Sequence, residues 1–145
     1  MYKVIGSAKT RAMRVIWMLN ELDVPYEIDP VRPRDAKLTA INPTGKVPVL
    51  QDGDDYVIDS TAICQYLADK HGALTFKAGT IARAHQDSFT RFALDDCEQP
   101  LWTAAKHTFV LPKELCVEDV KKRRAASTST RRWQHSRFAW ATSST

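Results

Sequence analysis

Apolar and polar positions along this chain change period several times, and each change marks an element. Tyr2 to Ile5 reads as a short strand ended by Gly6. From Thr10 to Leu22, Met13, Ile16, Trp17, Met18 and Leu19 recur at helical spacing, while Arg11, Arg14, Asn20 and Glu21 take other faces. The helix stops at Asp23-Val24-Pro25, because proline disfavours α geometry in the residue before it. Residues 26–31 form a second strand, and 35–42 a short helix closed before Pro43. Residues 47–50 and 56–58 pair as a hairpin whose turn residues are Asp52 and Gly53. A helix then runs from a capping residue at 59–60 to Gly72, with the usual polar start and glycine end. The order is β-α-β-α-β-β-α within residues 1–72.

Residues 73–79 read as a linker. From Thr80 a long helical pattern, broken near Pro100, offers Ile81, Phe89, Phe92, Ala93 and Trp102 for burial. Another helix is expected to begin at Pro112. Periodicity stops near Lys122. The division expected is an α/β domain at 1–72, an incomplete all-α domain at 80–120, and a basic Ser/Thr-rich tail at 121–145. Trp17 and the aromatics of the helices are expected in the core.

Charge separates the tail from the rest. The formal net charge of +4 divides into −3 over residues 1–120 and +7 over residues 121–145, which hold seven Lys and Arg and no acid. A nucleic-acid role argued from basicity therefore rests on the tail alone, where Trp133, Phe138 and Trp140 could stack on bases. Nucleic acid is not an expected partner. No apolar run approaches the ~20 residues of a membrane span, and the chain enters structure directly from Met1, so a cytoplasmic location is expected and a membrane is not. Cys64, Cys97 and Cys116 read as reduced thiols. His71, His85, His107 and His135 have no ligand spacing, so no metal is expected.

The chemistry concentrates in Asn42 to Thr61, "NPTGKVPVLQDGDDYVIDST". A proline inside a strand is tolerated at an edge, where no ladder donor is needed, and an X-Pro bond can be cis at a cost of only ~0.5–1 kcal/mol. A kinked edge at Val47-Pro48 would leave the Val47 N–H and C=O facing outward, able to receive an extended peptide as an added strand. Ser60 begins a helix whose N–H groups and dipole favour a carboxylate. Lys46 stands ready for a second carboxylate. Each residue alone is commonly structural; the combination and its spacing are more specific.

"NPTGKVPVLQDGDDYVIDSTAICQYLADKHG", with the opening "GSAKTRAMRVIWMLNELDVPYE", resembles the N-terminal half of soluble bacterial-type glutathione transferases. The resemblance covers residues 1 to about 120 and is strongest over 1–72. It implies a thioredoxin-like glutathione-binding domain, then a helical domain that supplies much of the pocket for a hydrophobic electrophile. It implies that Val47 beside cis-Pro48 pairs with the cysteinyl backbone of glutathione. Asp59 and Ser60 would hold the γ-glutamyl end, and Lys46 the glycyl carboxylate. Many members carry Glu or Gln where this chain has Asp59. Glutathione is then co-substrate, the reaction is thiolate conjugation in a detoxifying enzyme, and a homodimer is expected if the helical domain is complete.

The family places its catalytic Tyr, Ser or Cys near the start of the first helix. No Cys precedes Cys64, and Tyr2 lies too early in the strand, so Ser7 and Thr10 remain. Ser7 follows Gly6 in the turn facing the proline edge, whereas Thr10 immediately precedes Arg11. Both stay open.

The tail admits two readings, a disordered segment or a slipped reading frame. Ala141 to Ser144 can be coded GCG ACG AGT TCG, and a one-base shift after a preceding G gives Gly-Asp-Glu-Phe. The competing function is a non-catalytic glutathione-transferase-like binding module.

Overall fold

The structure, a computed structural model, describes residues 1–127 of the chain. The described residues divide into two compact units, the first Met1–Arg83 and the second starting at Ala84.

Alternation builds the first unit. β1 (Tyr2–Ile5) pairs in parallel with β2 (Tyr26–Asp29) and antiparallel with β3 (Val49–Asp52), and β3 pairs antiparallel with β4 (Asp55–Ile58). The sheet order is β2-β1-β3-β4. Because side chains of a strand alternate between faces, Val4 and Leu50 point one way and Ile5 and Val49 the other. The first pair meets Val15 and Leu19 of α1 (Ala12–Glu21) and Ile63 and Leu67 of α3 (Ser60–His71). The second pair meets Leu38 of α2 (Ala36–Ile41). All these side chains are fully buried apart from Ile5, which is nearly so. At about 1.5–3 kcal/mol for each large aliphatic side chain removed from water, the two layers hold the sheet between helices. This is the thioredoxin-like βαβαββα arrangement expected from the sequence.

Several elements differ in detail from the expectation. α1 buries Ala12, Val15 and Leu19, so Trp17 falls on the outer face, 63% exposed, with its indole N–H donating to Glu21 Oε1 at 2.7 Å. The count of apolar residues hid this: a three-residue stripe of small and medium side chains sits against the sheet, and the larger Met13 and Trp17 do not. Asp52 belongs to β3, and the hairpin turn is made by Gly53, with φ +62°, and Asp54. α3 closes on Gly72 in the left-handed region, as expected.

The second unit continues α4 (Ile81–Phe92), which begins in the first, into a π-helical turn at Ala93–Glu98. α5 (Gln99–Ala105) follows without a break, so Pro100 in its first turn leaves one donor out of the helical ladder. A second π-helical turn at Lys106–Val110 ends the run. Pro112 precedes only a 3₁₀ turn at Lys113–Leu115, not the expected helix; α6 starts later, at Glu118, and runs past Lys122 to Ser127. Its acidic first turn, Glu118 and Asp119, suits the positive end of the helix dipole. Among the described residues of this unit only Pro100 is buried, and Phe109 is 82% exposed. Of the tail expected at 121–145, residues 128–145 lie outside the described residues.

Candidate functional site

Four segments leave the sheet at one end. β1 and β2 are parallel, so Ile5 and Asp29 close them side by side; β3 starts at Val49 opposite Ile5, and β4 ends at Ile58 opposite Val49. The residues just outside this end are Gly6 and Ser7, Pro30 and Val31, Val47 and Pro48, and Asp59 and Ser60. The loops are tied to one another. Gly6 N–H donates to the Asp29 carbonyl at 2.8 Å. A Cβ on Gly6 would lie 3.1 Å from Val47 Cβ, and its φ of +138° is one that L side chains rarely adopt.

The Val47-Pro48 bond is cis. Among the described residues the Val47 backbone N–H and C=O have no hydrogen-bond partner. The loop leading to Val47 is set by Asn42, a buried polar residue that sequence reasoning passed over. Its Nδ2 donates to the Lys46 carbonyl at 2.9 Å, and its Oδ1 accepts from the Thr44 hydroxyl at 2.9 Å and the Thr44 N–H at 3.2 Å. An asparagine directly before proline at a helix end is the available signal for such a turn. Lys46 is exposed beside it. Arg34, also passed over, has a left-handed backbone at φ +66° and donates its N–H to the Gly45 carbonyl at 2.9 Å. Its backbone thus sits next to the residue before Lys46.

At the start of α3 the cap is Asp59, not Ser60. Asp59 adopts φ +72°, and its Oδ1 accepts from Thr61 N–H at 2.9 Å and Ala62 N–H at 3.1 Å. Those helix N–H groups are therefore occupied by the chain's own carboxylate. Ser60 is the first helical residue, 3% exposed, and its Oγ accepts from Arg14 Nη1 at 3.3 Å. One turn on, the Cys64 thiol donates to the Arg14 carbonyl at 3.7 Å. Burial pushes that thiol above its ordinary value, partly offset by the Arg14 charge, while Asp59 pushes it further up. This direction favours the protonated thiol at Cys64.

Ser7 and Thr10 share the turn before α1. The Thr10 hydroxyl donates to the Ser7 carbonyl at 2.7 Å and accepts from Ala12 N–H at 3.2 Å. The Ser7 hydroxyl accepts a longer contact from Lys9 N–H at 3.3 Å, which leaves its own hydrogen uncommitted. Among the described residues no group of His, Cys, Asp and Glu is placed to hold a metal ion.

The sequence matches to known proteins fall on the first unit. Residues 10–75 match the family model for the glutathione S-transferase N-terminal domain. Glutathione S-transferase 3 of Schizosaccharomyces pombe is 39% identical over 67 residues, which are 43% of this chain and 28% of that protein. A glutathione S-transferase of Hyoscyamus muticus is 42% identical over 72 residues, 46% of this chain and 34% of that one. The chain thus spans about a third of the length of these relatives. Poplar glutathione transferase F1 superposes with a TM-score of 0.74 at 20% identity, covering 88% of this chain and 64% of its own. A glutathione transferase of Phanerochaete chrysosporium, solved with oxidized glutathione, gives 0.76 at 21% identity, with 88% and 62% covered. The solved structures speak for the fold; the sequence matches carry the kinship. Over residues 10–75 the chain matches the glutathione S-transferase N-terminal domain in sequence, and its first unit has the thioredoxin-like fold.

Proposed function

We propose that the chain binds glutathione at the end of the sheet where these loops meet, and that its chemistry is conjugation of the glutathione thiolate to electrophilic small molecules. The observation that carries this reading is the unpartnered backbone N–H and C=O of Val47, held between the Gly6–Ser7 turn and the start of α3. Val47, beside Pro48, pairs with the cysteinyl residue as one strand with another. Ser60 donates to the γ-glutamyl carboxylate, and the second oxygen of Asp59 faces the γ-glutamyl ammonium. Lys46 holds the glycyl carboxylate.

The tripeptide so placed brings its sulfur toward the turn before α1, where Ser7 or Thr10 donates to the thiolate. A free thiol has a pKa near ~8.5, and a hydrogen bond to a charged group is worth ~1.5–3 kcal/mol. One hydroxyl therefore supplies most of the ~2.7 kcal/mol that a two-unit depression requires. The thiol proton departs to solvent, the sulfur lone pair forms the C–S bond, and the leaving group takes its electron pair from the electrophile. A homodimer belongs to this reading only where the helical domain is complete.

The test is retention on immobilised glutathione together with conjugation of an activated aryl chloride. Retention with turnover above the uncatalysed rate supports the enzyme. Retention without turnover leaves a binding module, and no retention contradicts the reading.

A further inference from the structure

Ser60 is nearly buried, and its hydroxyl oxygen accepts a hydrogen bond from Arg14 Nη1 at 3.3 Å across 46 residues of sequence. A guanidinium has donors and no acceptor. The contact can form in one sense only, so the single Ser60 hydrogen must be donated elsewhere. Asp59 has already taken the Thr61 and Ala62 N–H groups, so the donors left at this helix start are few and the orientation of each one matters. Arg14 also brings a permanent positive charge directly behind the hydroxyl, half-buried between α1 and α3.

We propose that Arg14 is a positioning residue for the carboxylate subsite: it fixes Ser60 as an outward donor and lends it a partly desolvated positive charge. The inference rests on the glutathione reading above and adds a requirement to it. With Arg14 in place, the group received at Ser60 is an anionic acceptor, the γ-glutamyl α-carboxylate, and an ammonium there is disfavoured. The same charge reaches one turn further, where it opposes the burial of the Cys64 thiol. Arg14 does not touch the reacting sulfur in this account and acts only through Ser60.

A double-mutant cycle with two ligands tests it. Affinities of the full chain for glutathione and for the analogue lacking the γ-glutamyl α-carboxylate, 4-aminobutyryl-cysteinyl-glycine, are measured in wild type, Arg14→Gln, Ser60→Ala and the double variant. Arg14→Gln is expected to weaken glutathione roughly ten-fold, to leave the analogue unchanged, and to add nothing once Ser60 is alanine. Arg14→Lys, which keeps a charge without the planar fork, is expected to recover part of the loss, and it serves in the cycle if Arg14→Gln does not fold. Equal losses for both ligands, or full additivity with Ser60→Ala, would make Arg14 a structural residue and overturn the proposal. If wild type binds neither ligand, the glutathione reading itself fails; if wild type binds glutathione and Arg14→Gln binds it equally well, only the positioning role fails.

Discussion

Gly6 and Val47 meet without room between them: a Cβ added at Gly6 would stand 3.1 Å from Val47 Cβ and 3.1 Å from Ala12 Cβ. This contact seats the turn carrying Ser7 against the loop carrying Pro48. Gly6→Ala must therefore push one of them away, and it must also hold φ +138° with a side chain. The expected cost is about 1–3 kcal/mol, read as a lower urea midpoint with an unchanged slope. Glutathione affinity should fall further than that of a surface substitution with equal loss of stability.

Ser7 and Thr10 separate on their hydrogen bonds. Thr10 has given its hydrogen to the Ser7 carbonyl, whereas Ser7 retains its own. Ser7→Ala should raise the pKa of bound glutathione by about one to two units, or roughly 1.4–2.7 kcal/mol, with little change in affinity. Thr10→Ala should instead lower thermal stability by loosening the turn into α1. Thiolate absorbance against pH in both variants decides, and a shift confined to Thr10→Ala would reverse the assignment.

Ser60→Ala should weaken glutathione binding more than Lys46→Ala. Ser60 is buried at a helix start and backed by Arg14, whereas Lys46 is an exposed charge that salt screens. Titration at physiological salt checks this, and equal losses would count against the two carboxylate assignments.

At the opposite end of the sheet the Asp52 carboxylate is held by Lys70 and accepts from the Tyr66 hydroxyl at 2.5 Å. The hydrogen bonds from Lys70, then Tyr66, hold its pKa below the ordinary carboxylate range. A group whose folded pKa is depressed adds stability above its unfolded value, and that stability is lost as pH falls through the folded one. The stability gap between wild type and Asp52→Asn should thus be full at neutral pH and shrink below about pH 4. Asp52 in turn pushes the Tyr66 hydroxyl above its ordinary value. Its share of stability is present below about pH 10 and fades as pH rises through the folded value. Tyr66→Phe should lower stability by about 1 kcal/mol at neutral pH, measured by denaturant unfolding.

The first unit was legible from sequence because its signals are local. Period-two strands, a glycine-ended helix and a proline at a strand start each lie within one element, and their order carries the topology. What escaped depends on contacts between distant residues. Nothing near Arg14 announces Ser60, and nothing near Arg34 announces Gly45. Asp59 and Ser60 are both good capping residues, so only the backbone, at φ +72° for Asp59, distinguishes them. Trp17 was misplaced because a large apolar residue at helical spacing fits the core stripe as well as the outer face. In the second unit the π-helical turns at Ala93–Glu98 and Lys106–Val110 break the 3.6-residue period itself, so a pattern read at that period loses its register there.

The most direct test of the glutathione site is a titration of the chain with glutathione, followed through its backbone amide resonances. The account predicts saturable shifts, largest at Ser7, Val47 and Ser60, with Asp52 and Lys70 at the other end of the sheet unmoved. Shifts absent at saturating glutathione, or centred on Asp52 and Lys70, would contradict it.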